Sequence, residues 1–390
     1  MDFEELDDHV AIRRAVREVC AQFDDDYWMR HDLDHEFPWE FYAEMAKGGW
    51  IGIAIPEEYG GGGQGITEAS IVLEEVAASG ACMNGASAIH LSIFGMHPVV
   101  LHGGGELKSR VLPAVAAGDL HVAFGVTEPD AGLDTTAIST RATLGPGGDH
   151  YLINGRKVWT SKGLESDKVL LLTRTTPRAD CVKPTDGMTL FVANLKDPAV
   201  HIRPIPKLGR NAVASCEVYY DGLRVEVADR VGEEGKGFRY LLDGLNAERV
   251  LVAAEALGTG RAALRRAVNY ANERIVFGRP IGKNQGIAFP LAEAHMRLHA
   301  ASLAIREAAW RCDRRMPAGE QANTAKYLAA DAAFFAADAA VQTHGGFGYA
   351  SEYHVERYFR EARLQRLAPV PQEMVLNYVA EHVLGLPRSY

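Results

Sequence analysis

The sequence predicts an α+β chain in three parts, helical, then stranded, then helical again. Three observations predict it. Apolar residues follow helical spacing up to Leu120, give way to short runs broken by Gly and Pro, and return to helical spacing after Gly237. The chain has 390 residues, more than one domain of the usual roughly 100–150 residues holds. Hydrophobic residues make up 47% and charged residues 24%, a balance that buries cores and excludes a disordered chain.

Each part follows from its own pattern. Phe41, Met45 and Ala46 keep helical spacing after Pro38, and Ile71, Val72, Glu75 and Val76 begin another periodic stretch. Between them, Ile55 to Gly65 holds four consecutive glycines, which end a helix and make a loop. From Ala77 to Gly105 there is no Asp, Glu, Lys or Arg. A helix without charge on any face is buried all round, so a central core helix is expected, the alternative being that part of it also lines an apolar pocket. Strands are expected at Val122–Thr127, Tyr151–Asn154, Lys168–Thr175, Met188–Leu195, Val200–Ile205 and Cys216–Val225, with a turn at Gly145–Gly148. Many short strands suggest a small antiparallel barrel or sandwich. Helices return at Gly237–Glu273, about Ile287–Asp313, and Gln321–His344, the last stopped by Gly345 and Gly346. The Ala-rich faces suit a close-packed bundle, within a subunit or across two.

Charge and cysteine usage exclude several classes. Lys plus Arg total 41 and Asp plus Glu 51, so the net charge is 41 − 51 = −10. This argues against nucleic acid or anionic lipid as partners. The five cysteines are widely spaced and form no CxxC, so reduced thiols in a cytoplasmic setting are expected. The acidic start MDFEELDDHV has no apolar signal region, and no apolar run reaches membrane length. His31 and His35, with Asp32 and Asp34, imitate metal-ligand spacing but read as a solvated helix or loop face, and no metal is expected.

Four segments carry chemistry. Phe124–Asp134 leaves a strand with the Thr127 hydroxyl and Gly132, suited to a polar heterocycle or phosphate. Gly155–Ser161 offers the flat face of Trp159 followed by the hydroxyls of Thr160 and Ser161. Arg274-Ile-Val-Phe-Gly278, with Gln285 beyond it, places an arginine suited to pyrophosphate. Gln342-Thr-His-Gly-Gly-Phe-Gly348 has glycines that permit close backbone approach to a ligand. Alone, each also reads as a turn, a core aromatic or a helix end.

Together and in this order, with PEEYGG near the start and EYHVERYFREAR near the end, they resemble the acyl-CoA dehydrogenase family over nearly the whole chain. The resemblance implies an N-terminal helical domain (1–121), a middle antiparallel β-barrel domain (122–232) and a C-terminal four-helix bundle (233–390). It implies FAD. Thr127 would meet the flavin pyrimidine edge, Trp159 pack on the ring system and Ser161 reach the N5 side. Arg274, Phe277 and Gln285 would serve the pyrophosphate region of the FAD of a partner subunit, and Gln342, Gly345 and Gly346 its adenine end. A homotetramer built as a dimer of dimers is the family habit. Two positions depart from the pattern: Leu133 stands where a serine usually contacts a phosphate, and Lys162 where Asn or a small residue is common.

The reaction the resemblance implies is oxidation of the Cα–Cβ bond of an acyl-CoA to a trans-2-enoyl-CoA, as in fatty acid metabolism, with electrons passing to an electron-transfer flavoprotein. It needs a carboxylate at the α-carbon and donors on the thioester oxygen. Many members place the base in the loop after the REAR segment. Aligned on Arg360–Arg363, that position is Pro369, which has neither a carboxylate nor an N–H. The isovaleryl-CoA and long-chain branch carries the Glu on a helix just before an Arg, and Asn246-Ala-Glu-Arg249 matches. Glu248 is therefore expected as the base, with Arg249 beside the substrate and the missing amide donor supplied by a neighbour such as Val370 or by FAD itself. His90, in the uncharged stretch, reads either as a hydrogen-bonded core histidine or as a polar group in the acyl pocket favouring a short or functionalised chain. The alternatives are a family-fold flavoenzyme with other chemistry (a monooxygenase or a CoA-ester lyase) and an inactive scaffold.

Overall fold

The computed structural model describes residues 4–388. Its first part is helical: α1 (Asp7–Cys20), α2 (Asp25–Asp34), α3 (Trp39–Lys47), α4 (Ile66–Val76), α5 (Cys82–Phe94), α6 (His97–His102) and α7 (Gly105–Ala116). Local sequence explains the starts. The Asp24 carboxylate accepts from the Tyr27 N–H at 2.9 Å and caps α2. Glu68 reaches back to the Gly65 N–H at 2.9 Å, and Asp313 from the far end of the chain accepts from the Ile66 N–H at 2.6 Å. The uncharged stretch breaks at a wide turn, Ala77–Ala81, with Gly80 at φ 115°; α5 follows with every residue except Leu91 buried.

The strands are β1 (Val122–Gly125), β2 (Arg141–Leu144), β3 (His150–Ser161), β4 (Lys168–Arg174), β5 (Met188–Asn194), β6 (Val200–Pro204), β7 (Ser215–Glu226) and β8 (Arg230–Val231). They form one eight-stranded sheet of order β6-β7-β3-β2-β4-β5-β8, with β1 pairing parallel to β4. The antiparallel barrel expected from the sequence is corrected here: the sheet is mixed and does not close. β8 has only two residues and leaves at Gly232 (φ 70°), too short an edge to meet β6. The runs in β4 and β5 are nearly continuous because both faces are covered. Val169, Leu171 and Phe191 pack with Tyr151, Ile153 and Val218, while Leu170, Leu172 and Leu190 pack on Val99, Val111 and Leu112.

β3 runs through Gly155, well past the expected Tyr151–Asn154, because two bulges let it bend and continue along β7. The second falls between Lys157 and Thr160. β2 was not anticipated; its four residues, mostly exposed, contain no apolar run.

Helices then resume as α8 (Gly237–Glu273), a short hairpin of β9 (Ile275–Val276) and β10 (Arg279–Pro280), α9 (Gln285–Asp313), α10 (Gly319–His344), α11 (Val355–Leu364) and α12 (Gln372–Tyr378). α8 has 37 residues, about 55 Å of helix. The buried face of α10 is mostly alanine, which brings it close against α8 and α9. Gly258 does the same for α4, since a Cβ there would lie 2.3 Å from the Glu74 carbonyl oxygen.

α2 and α11 are joined by buried polar groups, so the solvated face expected around His31 and Asp32 is also corrected. Asp32 is 2% exposed and bonds Arg360 at 2.9 Å and the Asn84 side chain at 3.0 Å. Glu361 accepts from the Met83 N–H at 2.5 Å, capping α5, and pairs with Arg357 at 3.0 Å. The His31 ring is buried, with Nδ1 2.9 Å from the Glu36 carbonyl.

Candidate active site

The second bulge of β3 makes the first part of the site. Lys157 pairs with Val218 and Thr160 with Cys216, so Val158 and Trp159 together oppose the single residue Glu217. Trp159 takes φ 62° and stands 57% exposed, unlike a core tryptophan. The Val158 N–H donates to the Thr127 carbonyl at 2.9 Å, which brings Thr127 beside the bulge. Glu128 and Lys157 anchor the same corner from inside, at 2.8 Å and both buried. Although burial opposes it, the Lys157 cation holds the Glu128 carboxyl down at about 2, with help from Thr140 and Ser139. Sequence reasoning missed this pair, although the two residues lie inside the VTEPDAG and KVWTS segments. Leu133 is 64% exposed and contributes no hydroxyl.

The second part is a narrow cleft between α5 and α8, with room for about 20 Å³. His90, Leu91 and Phe94 line it from α5, Phe124 from β1, and Leu241, Leu245 and Glu248 from α8. Gly244 permits the approach; a Cβ there would lie 3.2 Å from the Phe94 ring. Glu248 and His90 are the ionisable groups of an otherwise apolar lining. Burial raises the Glu248 pKa, while His90 and Arg249 pull it back. The His90 Nδ1 lies 2.8 Å from Glu255, two helical turns beyond Glu248. Burial alone would push His90 down, but Glu255 outweighs it and holds the imidazole pKa above its ordinary value. His90 is thus a hydrogen-bonded buried histidine that also lines the cleft. Glu255 was readable only as a spacing of seven from Glu248.

Arg249 donates to the Asn246 side-chain oxygen at 3.0 Å. The Ala368–Pro369 peptide is cis. Next to it, the Val370 carbonyl accepts from buried Lys326 at 2.5 Å. Lys162 is wholly buried, with Nζ 3.3 Å from the Ala88 carbonyl, 3.2 Å from Ser92 Oγ and 4.4 Å from the centre of the Tyr42 ring.

The third part lies at one end of the helical bundle. Phe277 (φ 52°) and Gly278 (φ 75°) form the turn of the β9–β10 hairpin, and Phe277 is 99% exposed. A bulky residue at positive φ with its ring in solvent is unfavourable unless something packs on it. Arg274 lies over Phe347, 5.9 Å from the ring centre. Gln285 opens α9, and Gln342, Gly345 and Gly346 close α10, all exposed. A Cβ on Gly345 or Gly346 would meet nothing within 4 Å, and Gly345 also needs to be glycine for its φ of 60° at the end of α10. No hydrogen bond, ion pair or ring contact joins this end to Trp159 among the described residues.

These groups fit FAD. A half-exposed indole with Thr127 beside it suits the isoalloxazine ring, and the Thr160 hydroxyl is buried without a partner. Arg274, Gln342 and the bare glycines suit a dinucleotide's phosphates and adenine.

Known proteins match the chain in all three of its parts. The N-terminal domain of acyl-CoA dehydrogenases matches residues 6–119, the middle domain 123–223 and the C-terminal domain 235–384. The acyl-CoA dehydrogenase FadE12 of Mycobacterium tuberculosis is 39% identical over 393 residues, covering 100% of this chain and 99% of its own. The 3-(aryl)acrylate reductase of Clostridium sporogenes is 34% identical over 381 residues, covering 96% and 98%. The structure of glutaryl-CoA dehydrogenase with glutaryl-CoA superposes with a TM-score of 0.94 at 30% identity, covering 100% of this chain and 98% of that one. With matches across all three parts, the chain belongs to the acyl-CoA dehydrogenase family, FAD-dependent oxidoreductases that act on acyl-CoA thioesters.

Proposed function

We propose that the protein oxidises the Cα–Cβ bond of a short or functionalised acyl-CoA, with Glu248 as the base. The observation that carries this is the cleft itself: one carboxylate, made more basic by burial, faces a small apolar space beside a histidine. Glu248 takes the α-proton. FAD, when bound, supplies the acceptor for the β-hydride. Trp159 and Thr127 orient the ring system, and the leucines and phenylalanines of the cleft exclude water from the acyl chain. The His90–Glu255 pair places a polar group where the chain meets α5, which favours an acyl group with a polar substituent. Arg249 sits beside the thioester, and the Val370 N–H, for which no hydrogen bond appears among the described residues, is a donor for its oxygen. The catalytic Glu thus stands as in the isovaleryl-CoA and long-chain branch. Electron-transfer flavoprotein as acceptor, a homotetramer, a cytoplasmic setting and domain limits after residues 121 and 232 belong to the same reading.

The test is anaerobic addition of short, branched, dicarboxylic and long acyl-CoA esters to the flavoprotein while the visible flavin band is followed. One class should bleach it, and Glu248→Gln should slow that bleaching by about 10³-fold or more while FAD stays bound. Bleaching at the wild-type rate in Glu248→Gln would remove Glu248 as base. No bleaching by any ester would turn the reading toward other flavin chemistry.

A further inference from the structure

The reaction as described leaves the half-buried cation Arg210 unused. Arg210 lies in the loop between β6 and β7 in the left-handed region, φ 59°. Its Nη2 donates to Ser215 Oγ at 2.6 Å and to Ser161 Oγ at 3.0 Å. Its Nε is shut off from solvent without a partner. Among the described residues no carboxylate comes within ion-pair distance, although Glu255, Glu361 and Glu165 act on it from further away.

The loop is held in this conformation from both sides. The Asn211 N–H donates to Asp32 at 2.9 Å, and the Ala212 N–H to the Asn84 side chain at 3.0 Å. Gly209 passes so close to α11 that a Cβ would lie 3.1 Å from that of Arg360. A strained residue held this firmly, ending in a guanidinium on two serines, is the pattern of a functional constraint.

Hydrogen-bond counting gives the constraint a direction. A serine hydroxyl has one proton to donate and lone pairs to accept. Ser161 accepts from Arg210, so its own proton points elsewhere. Ser161 ends β3, two residues beyond the bulged Trp159. We propose that Arg210 is a positioning residue for the flavin: through Ser161 it directs a hydroxyl proton at the N5 edge of bound FAD, and its charge favours the reduced ring system. Oxidised N5 is an acceptor, and reduction adds negative charge to the ring. A cation one hydroxyl away therefore stabilises the reduced form more than the oxidised form, and the low dielectric of a buried site strengthens the effect. The inference rests on the FAD-dependent reading and on Ser161 standing at N5.

The experiment is anaerobic spectroelectrochemistry of the FAD-loaded protein as wild type, Arg210→Met, Arg210→Lys, Ser161→Ala and Arg210→Met with Ser161→Ala. Arg210→Met should shift the reduction equilibrium about tenfold toward oxidised flavin, or about 30 mV for a two-electron couple. Arg210→Lys should recover most of that shift. The Arg210→Met shift should persist when Ser161 is already alanine, since the charge acts through space and the hydroxyl carries only the directed proton. Should Arg210→Met fail to fold, Arg210→Gln keeps a donor without the charge and must show the same direction. A charge-removing variant with FAD bound and an unchanged potential overturns the proposal and leaves the family reading standing. A wild-type protein that holds no FAD overturns both.

Discussion

Lys162 is a charge placed where no charge is comfortable. Burial brings its pKa down to about 7, with Glu165 and Asp167 offsetting only part of the loss. The unfolded lysine binds its proton up to about pH 10.4. Between pH 7 and pH 10 the unfolded chain therefore holds more protons, and stability rises with pH across that window. At pH 7 the cost is on the order of 4 kcal/mol. Lys162→Met should accordingly be more stable than wild type at pH 7, with the gain shrinking toward pH 10. Denaturant midpoints at the two pH values measure it, and an equal gain at both would contradict the account. At this scale the sequence is legible where a resemblance points. Glu248 was singled out because the resemblance places a Glu just before an Arg on a helix, and that side chain does line the cleft. Glu255 and Arg210 were not, because their roles depend on partners brought together by folding: His90 lies 165 positions before Glu255, and Ser161 lies 49 before Arg210.

Among the elements, α11 shows how a family signature can be structural. Glu361, in the middle of the REAR segment, touches no part of the cleft. It caps α5 through Met83, bonds the Asn84 side chain at 2.9 Å and pairs with Arg357, whose guanidinium also holds the Gly80 carbonyl at 2.6 Å. Glu361→Ala leaves Arg357 buried and unpaired and uncaps α5. A loss of about 3–5 kcal/mol is expected, read as a lower denaturant midpoint. A loss below about 1 kcal/mol would place the capping elsewhere. Because α5 carries His90, the cleft should loosen with it. The long helices α8 and α10 were legible to within two residues because their periodic faces are long. The strands were legible as elements, but their sheet was not. Hydrophobic alternation says which face a strand buries and nothing about which neighbour it pairs with, so the parallel entry of β1 and the open edge at β8 had no trace in the sequence.

Over the whole molecule, the outer face of α9 carries Phe289, Met296, Leu303 and Trp310, each seven residues after the last and 39–63% exposed. A seam of that period suits contact with another helix, and it begins at the end where Phe277 stands in solvent. Met296→Glu with Leu303→Glu should reduce the sedimenting mass toward that of a single chain of 42.5 kDa and weaken FAD retention at the bundle end. An unchanged mass would place subunit contacts on another surface. The length of the chain is constrained as well as its surface. Around Gly222 the strand β7 carries one residue more than β3, and around Trp159 β3 carries one more than β7. The paired residue numbers sum to 376 at His150 and Glu226, fall to 375 at Asn154 and Asp221, and return to 376 at Ser161 and Ser215. One irregularity behaves like a frameshift and the other like its suppressor. Deleting either residue would leave a continuous ladder at the near end and put Ser161 out of phase with Ser215 at the far end. The two serines gripped by Arg210 thus face each other because the chain miscounts twice, once in each direction.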